Sequence, residues 1–145
     1  EATDVYRCLD ALQARNVPVV YGPIYEEATG PRAWRGESQN ARLHTFKALL
    51  DAGLTTALTA QELRDEDGLA RQAMYAIRFG ADPQRVLQAV TLTPAKLLRA
   101  DKEIGSVETG KRADLVVWSG EPFAATAKPV LVMHGGRIES DRRVK

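Results

Sequence analysis

Val17-Pro18-Val19-Val20-Tyr21-Gly22-Pro23 is a short β-branched run closed by Gly-Pro, and it predicts a buried strand that ends abruptly in a loop. Upstream, Val5, Cys8, Leu9 and Leu12 recur at helical spacing, which predicts a helix from Thr3 to Arg15 with Thr3 or Asp4 capping its first turn. On that spacing Cys8 is a packing residue of the helix face. Downstream, Ile24 to Ser38 carries two glycines, a proline and several charges without period, and reads as a long loop. A second helix follows from Gln39 to Ala52, its inward stripe formed by Leu43, Phe46, Leu49 and Leu50, with Gly53 as its stop. Leu54 to Thr59 then reads as another short strand. This alternation is that of a parallel α/β sheet, so the loops at Gly22 to Ser38 and Ala60 to Glu66, which leave the strand ends, are where chemistry is expected.

The rest of the chain divides into two kinds of pattern. Leu69, Ala73, Ala76 and Ile77 mark one face of a helix from Asp67 to Phe79, ended by Gly80. Asp82-Pro83 opens the next helix, because proline suits the first turn and aspartate accepts from its free amides. Thr93-Pro94 repeats that signature. After Asp101, five glycines punctuate short β runs at Ala113 to Trp118, Val130 to His134 and Arg137 to Ser140, with Gly135-Gly136 as a two-residue hairpin turn.

Composition excludes several classes of function. Twenty Lys and Arg balance nineteen Asp and Glu among 145 residues, and neither sign gathers into a block, so the charge gives no case for nucleic-acid or membrane partners. No apolar run approaches the roughly 18 residues of a membrane span. The lone Cys8 can form no internal disulfide. The first residue is Glu1, and the chain opens directly on a helical pattern, which raises the expectation of further sequence upstream.

Ile104-Gly105-Ser106-Val107-Glu108-Thr109-Gly110-Lys111-Arg112-Ala113-Asp114-Leu115-Val116-Val117-Trp118 resembles the C-terminal signature of the amidohydrolase superfamily, in particular its imidazolonepropionase-like branch. Thr91-Leu92-Thr93-Pro94-Ala95-Lys96 is similar to the helix start that precedes that signature, and Val132 to Ile138 to the strand pair that closes the family's chain. The stretches Pro18 to Pro23 and Leu49 to Leu54 are similar, more loosely, to the seventh barrel strand and to the helix entering the eighth. The resemblance implies that residues 1–100 are the last strands and helices of a (β/α)8 barrel. Residues 101–145 would then be the C-terminal strands of a small β-sandwich domain built from both chain ends. The long motif itself reads as structural: Gly105 and Gly110 permit positive-φ turns at close approaches, while Lys111 and Asp114 are polar turn residues.

The resemblance further implies hydrolysis of an amide or cyclic amide carbon–nitrogen bond in a small molecule. A divalent metal, zinc foremost, would act as Lewis acid and lower the pKa of its water. Its histidine ligands belong to earlier strands, and an aspartate closing the eighth strand serves as ligand and proton shuttle. Laid on Gly53 to Ala60, the family pattern puts Gln61 at that aspartate's position. A glutamine amide carries no charge and accepts no proton near neutrality. Glu62 is adjacent, yet one residue along a strand faces the other way; Asp65, Glu66 and Asp67 follow in the loop. Gly22, Pro23, Thr59 and Glu62 are the substrate-pocket candidates. His44, within a helix, and His134, beside the hairpin turn, are isolated and lack ligand spacing. The chain by itself is therefore expected to be inactive. It would be completed by the upstream part of the barrel, by a complementary subunit or by self-association, with a non-catalytic interaction subunit as the competing reading.

Overall fold

The computed structural model describes residues 5–24, 43–60 and 68–143. A 3-10 turn, Val5–Cys8, leads into helix α1, Leu9–Ala14; strand β1, Val19–Tyr21, helix α2, Thr45–Asp51, and strand β2, Thr56–Leu58, follow. Three helices come next: α3, Leu69–Arg78, α4, Pro83–Val90, and α5, Leu92–Leu97. Strands β3, Leu115–Trp118, β4, Pro129–His134, and β5, Arg137–Asp141, complete the described chain.

β1 and β2 are adjacent and parallel, with Val19 opposite Thr56, Val20 opposite Ala57 and Tyr21 opposite Leu58. The α/β reading thus holds, and helices account for the burial. α3, α4 and α5 all touch β2, whose three residues are buried. Phe46 and Leu49 of α2 are completely buried and join Val19, Tyr21 and Leu58 in one apolar cluster. Burial of β1 is one-sided. Val19 and Tyr21 face the cluster, whereas Val20 is 63% exposed and Val17 39% exposed. The expectation of a strand buried throughout is corrected here: side chains alternate along β1, and the described helices cover only one of its faces.

Four helices end in the same way. After α2, the Gly53 amide donates to Leu50 O and the Leu54 amide to Leu49 O; the same double pattern recurs at Asn16 and Val17, at Gly80 and Ala81, and at Arg99 and Ala100. Each first member of these pairs has positive φ, so the terminal carbonyls are satisfied by a left-handed cap. Asp82 caps α4 as expected, its Oδ1 accepting from the Arg85 amide at 2.9 Å, with Pro83 in the first turn. Thr93 does not repeat that role. α5 begins at Leu92 directly after Thr91, whose hydroxyl donates back to Leu87 O at 2.6 Å, so α4 passes into α5 without room for a separate cap.

The N-terminal segment departs from the expected single helix. Its caps Thr3 and Asp4 lie outside the described residues, as do residues 39–42 of the second helix and Asp67 of the third. Cys8 is exposed, not packed. It sits where the 3-10 turn becomes α1, with φ −117° and ψ 14°, while Val5, Leu9 and Leu12 pack with the apolar cluster.

β3, β4 and β5 form a separate antiparallel sheet in that order. Gly135 and Gly136 both have positive φ, 54° and 82°, which is the geometry of a type I′ hairpin matched to strand twist. Asp114 fastens this turn: its Oδ1 accepts from the Gly135 amide at 2.7 Å and lies 3.1 Å from His134 Nδ1, while its Oδ2 pairs with Arg112. These contacts hold the Asp114 carboxyl below its ordinary pKa, the Gly135 amide being the main cause and Arg112 the next. Upstream, Gly105 lies against the α4–α5 junction, where an added Cβ would sit 2.7 Å from Ala95 Cβ. Gly110 has positive φ but no neighbour within 4 Å, so of the two glycines only Gly105 marks a close approach.

Candidate functional site

Because β1 and β2 are parallel, both run out on the same edge of their sheet, and the residues just beyond them meet. The Thr59 amide donates to Tyr21 O at 2.9 Å, extending the ladder one step past β2. Gly22, with φ 143°, then turns its α-carbon onto the Thr59 carbonyl so closely that an added Cβ would lie 1.9 Å from that oxygen. Only glycine fits there. Pro23 follows through a cis peptide and is half-buried. Three of the pocket candidates, Gly22, Pro23 and Thr59, are therefore brought together; Gln61 and Glu62 lie outside the described residues, with Asp65, Glu66 and Asp67.

Beneath this edge the contacts are mainly apolar. Tyr21 stacks at a tilt on Phe46, with ring centroids 6.3 Å apart. Burial pushes the Tyr21 hydroxyl above its ordinary pKa, and the nearby Thr45 hydroxyl offsets part of that rise. The two do not reach hydrogen-bond geometry, and Thr45 Oγ1 is left as a buried oxygen without a partner. Thr45 is 3% exposed.

One functional candidate escaped the sequence reading. Gln72, on α3, is fully buried, and its Oε1 accepts from the Ile24 amide at 2.7 Å. Ile24, two residues beyond Gly22, is 2% exposed. The signal was present in the pattern: Gln72 falls three residues after Leu69 and four before Ala76, on a stripe otherwise composed of apolar residues. A polar amide at such a position is unusual enough to require a partner.

The two histidines stand apart from the strand ends. His44 precedes α2, is exposed, and places Nδ1 3.1 Å from Phe79 O with its ring edge-on to Phe79. His134 is engaged with Asp114 at the hairpin. Among the described residues no three His, Cys, Asp or Glu side chains converge as a metal would need. At the strand ends the described groups are a hydroxyl and main-chain carbonyls, with the Thr59 carbonyl closed off by Gly22. These described residues do not fit a divalent-metal donor set. No helix among the described residues is long and apolar enough to cross a membrane.

The architecture, parallel strands backed by helices with their ends pinned together and an antiparallel sheet following, is that of a mixed α/β protein with structural neighbours among the amidohydrolases. The sequence profile of the Amidohydrolase family matches residues 58–139, more than half of the chain, and the chain belongs to that family. It is 29% identical over 96 residues to the amidohydrolase tasK of Hapsidospora irregularis, a match covering 66% of this chain and 10% of that protein. Among solved structures it resembles an amidohydrolase from Thermotoga maritima MSB8, with 33% identity and a TM-score of 0.82, over 97% of this chain and 36% of that one. A prolidase solved in complex with N-methylphosphonate-L-proline shares the fold at 15% identity and a TM-score of 0.70, over 94% of this chain and 38% of that one. The chain thus spans about a tenth of the curated relative and about a third of these structures.

Proposed function

We propose that this chain is the C-terminal part of an amidohydrolase that hydrolyses an amide or cyclic amide carbon–nitrogen bond in a small molecule. In this reading residues 1–100 contribute the last strands and helices of a (β/α)8 barrel, and residues 101–145 the C-terminal strands of its small β-sandwich domain. A divalent metal, zinc foremost, is held by ligands from other strands. The upstream part of the barrel, a complementary subunit or a further copy of the chain completes the site.

The observation that carries the reading is Val20. It lies on the face of β1 opposite the helix-packed Val19 and Tyr21, is apolar and yet is 63% exposed. A strand taken from a closed barrel leaves such a face, since its inner side chains are covered only when the remaining strands are present. The lightly buried sheet β3–β5 agrees: Val116, Val117 and Ile138 are 49%, 43% and 56% exposed. An antiparallel sheet with apolar residues on open faces calls for a partner layer.

A second reading rests on Gln61, which stands at the position of the family's strand-closing aspartate: the chain belongs to a non-catalytic homologue that keeps the scaffold for binding. Assays of the full-length protein with Zn²⁺, Mn²⁺ or Fe²⁺ beside a Gln61→Asp variant separate the two. Turnover of amides by the unmodified protein supports the enzyme. Turnover by the variant alone supports the binding subunit and defeats the first reading.

A further inference from the structure

Gln72 invites an explanation that the apolar core does not supply. α3 is set close to the sheet by small residues, Ala73 being fully buried and Ala76 1% exposed, and Gln72 occupies the same buried face. An apolar side chain there would pack without any desolvation cost, whereas a buried amide is tolerated only when its polar atoms are satisfied. Its Oε1 is spent on the Ile24 amide. That amide lies past the end of the β1 ladder, so the strand pairing offers it no acceptor.

The consequence is a three-point fixation of the strand edge. Thr59 N–H holds Tyr21 O, the Thr59 carbonyl backs onto the Gly22 α-carbon, and Gln72 holds Ile24. The third point comes from the helix that follows β2, so the chain leaving β1 is positioned from the same unit that carries the chain leaving β2. We propose that Gln72 is a positioning residue for the candidate site: it sets the main chain of Gly22, Pro23 and Ile24, and with it the rim against which a small amide substrate is held. This inference rests on the hydrolase reading above. Gln72 acts through Ile24 and is not assigned contact with substrate.

The test uses the full-length protein and three variants. Gln72→Met keeps the length and removes the acceptor, Gln72→Glu keeps an oxygen at the same place, and Ala73→Gly loosens the same helix while leaving the acceptor of the Ile24 amide in place. Each is measured for thermal midpoint, for exchange of the Ile24 amide by NMR, and for kcat and KM on a panel of N-acyl amino acids and cyclic amides. We expect Gln72→Met to speed Ile24 exchange and to lower kcat/KM on the order of tenfold to a hundredfold, the scale of a small misplacement at a reacting site. Gln72→Glu should recover part of that loss. Ala73→Gly should lower the midpoint while leaving kcat/KM within about twofold, as a purely structural change does. Equal kcat/KM in Gln72→Met and Ala73→Gly overturns the positioning role, as does failure of both Gln72 variants to fold where Ala73→Gly folds. An unmodified protein inactive on the whole panel defeats the hydrolase reading and takes this inference with it, whereas an active one with an unaffected Gln72→Met defeats this inference alone.

Discussion

Gly22 and Thr59 meet main chain to main chain: the space that a methyl group would fill at Gly22 is already taken by the Thr59 carbonyl, 1.9 Å away. Gly22 also has φ 143°, a conformation that residues with a side chain rarely adopt. Both effects act in the same direction. Gly22→Ala should destabilise the protein by about 3 kcal/mol or more, since backbone strain and overpacking add. Urea unfolding measures it; a change below about 1 kcal/mol would show that the two strand ends are free to separate.

The apolar cluster beneath that edge is centred on Phe46, which is fully buried and leans on Tyr21. Phe46→Ala should cost about 3–5 kcal/mol, the range for removing a buried aromatic and leaving its cavity. Equilibrium denaturation monitored by far-ultraviolet circular dichroism reads the loss.

Gly105 and Gly110 give a paired prediction. Both have φ near 90°, but only Gly105 has neighbours: Ala95 Cβ at 2.7 Å, and the Leu92 α-carbon and Thr91 O both at 3.1 Å, from an added Cβ. Gly110→Ala should therefore cost about 1 kcal/mol, the penalty of the left-handed backbone alone. Gly105→Ala should cost about 2–3 kcal/mol, because the α4–α5 junction must also give way. Equal midpoints for the two variants would contradict the close approach.

Asp114 supplies a pH prediction. Its carboxyl is held below its ordinary value, first by the Gly135 amide and then by Arg112. A folded pKa below the unfolded one means that the stabilisation is complete above the ordinary carboxylate range. It is lost as pH falls through the depressed folded value. Asp114→Asn should lower the thermal midpoint at pH 7, and the gap from the unmodified protein should close only in strongly acidic solution. A gap that is constant with pH would mean that the charge of Asp114 is irrelevant to the hairpin.

Val20 distinguishes an open edge from a barrel interior. In the 145-residue chain Val20→Thr should change stability by no more than about 0.5 kcal/mol, as exposed substitutions do. In the full-length protein the same hydroxyl would be buried, and the cost should rise to about 1–3 kcal/mol. The comparison needs only two denaturation series, and an equal, small cost in both would remove the main support for a completed barrel.

The sequence by itself determined the features whose hydrogen bonds close within a few residues. Asp82-Pro83 starts a helix, Gly53 and Gly80 stop two others, and Gly135-Gly136 turns a hairpin, because each partner lies inside the same short window. The motif from Ile104 to Trp118 was equally legible and led to the right family. Tertiary structure decided the rest. Whether Thr93 caps a helix depended on how closely α4 leads into α5, and whether Cys8 packs depended on which side chains the core cluster reaches, which apolar spacing does not record. The pinning of Gly22 on Thr59, and of Ile24 by Gln72 across 48 residues, joins groups with no local relation. Such contacts form only when parallel strands from separate segments align, and the physical reason is that a parallel ladder satisfies its amides between segments, never within one.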